Sequence, residues 1–151
     1  MNEQACLLSE MKKLLVATDG SEFSATAVRE AINLAKVCSS KLFVLSVVKT
    51  YLDFEGIVTD VIEKAEKEAI EHLESIRSRT SREGVKCNII VTRGEEPFQE
   101  IVDEAAKNHI NMIVMGTHGR TGFKRLLMGS AAERVIGYSE SAVLIAIKPR
   151  K

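Results

Sequence analysis

The chain has 151 residues, 21 of them basic and 21 acidic, for a formal charge of zero with its histidines neutral. That length suits one domain with its own core, and the neutral balance excludes an overall field steering it to nucleic acid or an anionic membrane, so any anion site must be local. Cys6, Cys38 and Cys87 form no Cys-x-x-Cys pair and read as reduced thiols, and no apolar run approaches a membrane span of about 20 residues; a cytoplasmic protein is expected.

Residues 1–11 carry Glu3 and Glu10 and no long apolar core, and are expected to be a flexible N-terminal extension to a domain over residues 12–151. Leu14 to Thr18 (LLVAT) then reads as a short buried strand, followed by the turn Asp19-Gly20-Ser21. Val28, Ala31, Ile32 and Ala35 follow helical spacing, and Leu42 to Val48 (LFVLSVV) gives a second strand. Val58, Val61, Ile62, Ala65, Ala69, Ile70 and Leu73 mark the apolar face of a longer helix. Its run EKAEKEAIEHLESIRSR is read as a solvated face with ion pairs three or four apart.

Asn88 to Thr92 (NIIVT) gives a third strand, and Phe98, Ile101, Val102 and Ala105 a helix opened by Pro97. Ile110 to Met115 (INMIVM) is the fourth strand. A last helix is expected to begin near Ser130, carry Val135 and Ile136 inward and stop at Gly137. Ala142 to Ile147 (AVLIAI) closes the chain as a fifth strand.

Strands alternating with helices demand right-handed crossovers, which predicts an open, doubly wound parallel sheet of five strands in the order 3-2-1-4-5 with helices on both faces. Strands 1 and 4 then lie side by side at the point where the winding reverses, and ligands of such sheets bind beyond the carboxyl ends of the strands there. The loops concerned are Asp19-Gly20-Ser21 and GTHGRTGFKRLLMGS, residues 116–130, which holds four of the nine glycines, three basic residues and no acidic one. Gly116 leaves the fourth strand, and Gly119 and Gly122 permit positive φ and close backbone approach. Gly129-Ser130 opens a helix whose unpaired N–H groups favour phosphate, and Arg120, Lys124 and Arg125 add local positive charge. The sum is a cradle for a polyphosphate, although it matches neither the Walker nor the dinucleotide glycine pattern.

Simpler readings stand beside these. Glycines at strand ends serve tight turns, and Asp19 alone is as well explained as a turn or cap residue. His118 has no second ligand at metal-binding spacing and reads as a loop histidine or phosphate neighbour; His72 and His109 read as solvated. Met112, Met115 and Met128 read as core or pocket wall.

The spacing Gly116-x-x-Gly119, nine residues, then Gly129-Ser130 resembles the signature of nucleotide-binding universal stress proteins. The opening LLVATDGSEFSATAVREAINLA and the closing AVLIAIK resemble the ends of that family's domain, so the likeness runs over residues 12–149. It implies an ATP-binding protein in which Asp19 holds the ribose and backbone near Val47 and Val48 meets the adenine. Gly116, Gly119, Gly129 and Ser130 would hold ribose and phosphates. The candidate nucleotide-binding set is Thr18, Asp19, Val47, Val48, Met115, Gly116, His118, Gly119, Arg120, Gly129, Ser130 and Ala131. Many ATP-binding relatives carry a second hydroxyl where Ala132 stands, and its loss removes a phosphate donor, about 1 kcal/mol.

The resemblance also implies a homodimer paired through the last strand, Val143 to Ile147, as an apolar edge strand would favour. Further protein partners are not legible, and neither nucleic acid nor membrane is expected. No nucleophile is paired with a base and no carboxylate pair shows metal geometry, so no catalytic residue is assigned. Magnesium or manganese would enter through the nucleotide's phosphates. The leading reading is a dimeric nucleotide-binding regulatory module of the stress response. A slow ATPase or nucleotidyl-transfer enzyme and a nucleotide-free dimerisation protein are the alternatives, and AMP or a cyclic nucleotide fits the same pocket logic.

Overall fold

A computed structural model describes residues 7–50, 57–117 and 128–148. The strands are β1 (Lys13–Ala17), β2 (Lys41–Lys49), β3 (Cys87–Gly94), β4 (Met112–Gly116) and β5 (Ala142–Ala146), and the helices α1 (Glu22–Cys38), α2 (Ile57–Arg82), α3 (Pro97–Lys107) and α4 (Ser130–Tyr138). All strand pairings are parallel, in the order β3-β2-β1-β4-β5. The sheet order expected from the alternation of elements is the one found.

Strand alternation divides the core into two layers. Leu14, Val16, Leu42, Val44, Met112 and Val114 face one way and meet Val28, Ala31, Ile32 and Ala35 of α1 with Leu73 and Ile76 of α2. Leu15, Phe43, Leu45, Ile113 and Met115 face the other way and meet Ile101 and Ala105 of α3 with Ala132 and Val135 of α4. Both faces are covered, which is why the central strands read as unbroken apolar runs. Leu7–Glu10 form a turn of 3-10 helix, and Met11 is buried in the first layer, so packing begins just ahead of residue 12.

Local chemistry fixes the element ends. Ser21 caps α1, its hydroxyl accepting from the Ser24 N–H at 3.2 Å, and Ser39 closes that helix in the left-handed conformation. Pro97 opens α3 as expected. The last helix departs from its expected form. It runs through Gly137 to Tyr138 and is capped at Ser139, and Ile136 is 47% exposed while Val135 is fully buried. A nine-residue helix crossing one edge of the sheet buries a narrow stripe, and adjacent residues, 100° apart, cannot both lie in it.

Helix α2 also differs from its expected apolar face, because Val61 is 63% exposed and Ile70 is exposed as well. Its 26 residues rise about 39 Å, whereas the eight residues of β3 span about 26 Å. Its N-terminal turns therefore run past the carboxyl ends of the strands, and Leu73, Ile76 and Thr80 are its buried residues. Among the described residues no helix is long and apolar enough to cross a membrane.

Candidate functional site

A cavity of about 670 Å³ opens beyond the carboxyl ends of β1, β2 and β4, where the winding of the sheet reverses. That volume lies in the range of small-molecule sites. Its floor is built from strand ends: Ala17 and Thr18 after β1, Leu45 to Lys49 of β2, and Met115 and Gly116 of β4. Pro97 and Ile101 of α3 and the first turn of α4 close one side, and Ala65, Glu68, Ala69 and His72 of α2 close the other.

The β1–α1 turn is held by its own side chains. Asp19 Oδ1 accepts from the Ser21 N–H at 2.9 Å, so the turn role considered for Asp19 is realised while the residue also lines the cavity. Gly20 takes a positive φ of 82° between them, a conformation glycine adopts without penalty. The buried Thr18 hydroxyl accepts from the Gly20 N–H at 3.2 Å and lies 3.0 Å from Ser24 Oγ and 3.1 Å from His72 Nε2. His72, expected to be solvated, is thus a half-buried wall residue of the cavity.

On the opposite wall, Gly129 is the N-cap of α4, and among the described residues no side chain caps it. The first intrahelical bond runs from Glu133 N–H to Gly129 O, so the N–H groups of Ser130, Ala131 and Ala132 stand at the positive end of the helix dipole, beside the cavity. Gly129 N–H donates to Thr117 O at 2.6 Å, which brings the two ends of the long glycine-rich loop together. Ala132, where a hydroxyl was weighed, is buried against the α3–α4 layer and also borders the cavity. Val47 is half-buried and Val48 buried, giving β2 an apolar rim.

The structure thus brings nine of the twelve candidate residues around one cavity: Thr18, Asp19, Val47, Val48, Met115, Gly116, Gly129, Ser130 and Ala131. His118, Gly119 and Arg120, with Gly122, Lys124 and Arg125, lie outside the described residues. His72, Glu68 and Lys49 are among the wall residues outside that candidate set. The spacing of Ala65, Ala69 and His72, i, i+4 and i+7, was the available signal for a face turned toward a common surface.

Comparison with known proteins points in one direction. The profile described as "Universal stress protein family" matches residues 10–146. Universal stress protein MJ0531 of Methanocaldococcus jannaschii is 38% identical over 144 residues, 93% of this chain and 84% of the relative. The solved structure of protein MJ0577 of the same organism superposes with a TM-score of 0.83 at 28% identity, covering 93% of this chain and 99% of that one. A universal stress protein from Archaeoglobus fulgidus, solved in complex with dAMP, has the same fold with a TM-score of 0.66 at 22% identity, covering 89% and 96%.

Proposed function

Starting from the fact that this chain belongs to the universal stress protein family, we propose that it binds ATP, or another adenine nucleotide, in the cavity between β1 and β4 and acts as a cytoplasmic regulatory module of the stress response. One observation carries the reading: a carboxylate, an uncapped helix N-terminus and an apolar strand rim border the same cavity, at Asp19, at Gly129 to Ala131 and at Val47 and Val48. These are the three chemistries a nucleotide needs. A carboxylate accepts from ribose hydroxyls, unpaired N–H groups receive phosphate oxygens, and an apolar rim receives the face of a base. The fold-mate solved with dAMP supports the adenine nucleotide class.

Among the described residues no three His, Cys, Asp or Glu side chains gather into a metal site, so magnesium or manganese would enter on the phosphates. We further propose a homodimer through β5. That strand forms one edge of the sheet, Val143 to Ile145 on it are half-buried, and Ile147 beyond it is 71% exposed. An apolar edge is stabilised when a second copy covers it.

The test is calorimetric titration of the full chain with ATP and magnesium, beside Gly129→Val. The N-cap backbone, with φ −61° and ψ 150°, accepts any residue, while the added side chain would obstruct the phosphate end. Saturable binding in the wild-type chain and loss of it in the folded variant is the expected result. No binding in the wild-type chain would sink the nucleotide reading, and equal binding in Gly129→Val would move the ligand elsewhere.

A further inference from the structure

Strand β3 is the second edge of the sheet, opposite β5, and its ladder with β2 fixes which of its backbone groups point outward. The register runs unbroken from Leu42 beside Cys87 to Lys49 beside Gly94. At its two ends the Leu42 N–H donates to Lys86 O and the Thr50 N–H to Gly94 O, each at 2.9 Å. Successive residues of a strand turn their N–H and C=O to opposite sides, so Asn88, Ile90 and Thr92 bond to β2 while Ile89 and Val91 turn theirs away from the sheet. Among the described residues, neither Ile89 nor Val91 has a backbone partner on that side.

These outward groups border a groove of about 470 Å³ that follows residues 88–92 of β3, with Arg77 of α2 on one side and Glu104, Lys107 and Asn108 of α3 on the other. Buried Phe43 and half-buried Ile90 give it an apolar floor on the α3 side. The one acidic lining residue, Glu104, accepts from Asn108 Nδ2 at 3.0 Å, and Arg77 also pairs with Glu74 on its own helix. A second copy paired β3 to β3 about a twofold axis would set this Arg77 and Lys107 wall against itself. An extended chain of opposite charge meets no such repulsion. We propose that the β3 edge is a docking groove for an extended segment of a partner protein in which apolar and acidic residues alternate, added to the sheet as a sixth strand. Its backbone bonds Ile89 and Val91, its apolar side chains meet Phe43 and Ile90 on one face, and its acidic ones meet Arg77 on the other, with Lys107 adding charge of the same sign. The proposal is independent of the nucleotide cavity, which lies beyond the carboxyl ends of the strands.

The test is amide hydrogen exchange of the full chain, read by NMR. In the dilute free protein Ile90 and Thr92 should exchange slowly, and Ile89 and Val91 about tenfold faster or more. Slow exchange of Ile89 and Val91 with nothing added would show the edge already covered and overturn the proposal. Slowing that grows with protein concentration would assign the edge to a second copy and overturn it as well. The probe is a nine-residue peptide of alternating valine and glutamate with blocked ends. At about ten times its dissociation constant it should slow Ile89 and Val91 about tenfold, and a peptide with lysine in place of glutamate should bind more weakly. Arg77→Glu and Lys107→Glu should each weaken the glutamate peptide about two- to fivefold. Val91→Pro removes one outward donor at an edge position, where proline is tolerated, and should abolish the protection of Ile89 by the peptide. The charge variants decide the question should Val91→Pro unfold. No saturable binding below about 1 mM, protection confined to other strands, or affinity unchanged in both charge variants would overturn the proposal.

Discussion

Gly116, the last residue of β4, approaches the backbone of Phe23 so closely that a Cβ on it would sit 2.6 Å from the Phe23 carbonyl oxygen and 2.9 Å from its carbonyl carbon. The glycine expected to cradle phosphate thus has a packing role of its own, letting the strand end meet the first turn of α1. Backbone cannot yield as a flexible side chain can, so Gly116→Ala should destabilise the fold by about 1–3 kcal/mol. Urea denaturation would measure this, and an unchanged midpoint would contradict it.

The turn and ligand roles of Asp19 separate through one substitution. Asp19→Asn keeps an oxygen to accept the Ser21 N–H, a bond of 2.9 Å, but removes the charge and one acceptor. It should leave thermal stability near wild type and weaken ATP binding about tenfold, in line with loss of a charged hydrogen bond. Asp19→Ala should lower both, with a loss of about 1 kcal/mol in stability. Thermal melts and calorimetry read the two effects apart.

Much of this architecture was legible because the alternation of apolar runs and helical spacings leaves few topologies once crossovers must be right-handed. The place of the cavity followed from sheet order alone, and Thr18, Asp19, Met115 and Gly116 fell into it as strand-end residues. What was not legible depended on lengths and angles in space. Ile136 matches an apolar helical pattern yet faces out, because α4 buries only a narrow stripe. Val61 is exposed because α2 is longer than the strands it covers; Ile70 is exposed as well, and His72, read as a surface residue, is part of the wall.

The overhanging helix is tied to the sheet edge by Arg93 of β3, which grips Glu66 of α2 with both nitrogens Nε and Nη2. The hydrogen bond from Arg93 holds the Glu66 carboxyl below the usual carboxylate range, with the charge of Arg93 acting in the same sense and desolvation opposing. A lowered folded-state value means that the contribution is present above the unfolded-state pKa and fades as pH falls through the folded one. NMR titration should place the Glu66 midpoint below that of an ordinary glutamate, and Arg93→Ala should return it. A Glu66 midpoint unaffected by Arg93→Ala would contradict the pairing.

The proposed dimer rests on the β5 edge, so a charge just beyond it should separate the copies. Ile147→Asp should leave the stability of the single domain within about 0.5 kcal/mol, since the side chain is exposed. Sedimentation should show wild-type protein as a dimer and the variant shifted toward monomer. A wild-type monomer at tens of micromolar would remove the proposal.

The central claim is that the cavity between β1 and β4 holds an adenine nucleotide. Mass spectrometry of the small molecules released on denaturing the full chain, purified without added nucleotide, tests it most directly. The account predicts ATP or another adenine nucleotide approaching one per chain in the wild-type protein, and little in Gly129→Val. A wild-type protein that releases none, and whose melting temperature does not move on adding ATP with magnesium, would contradict it.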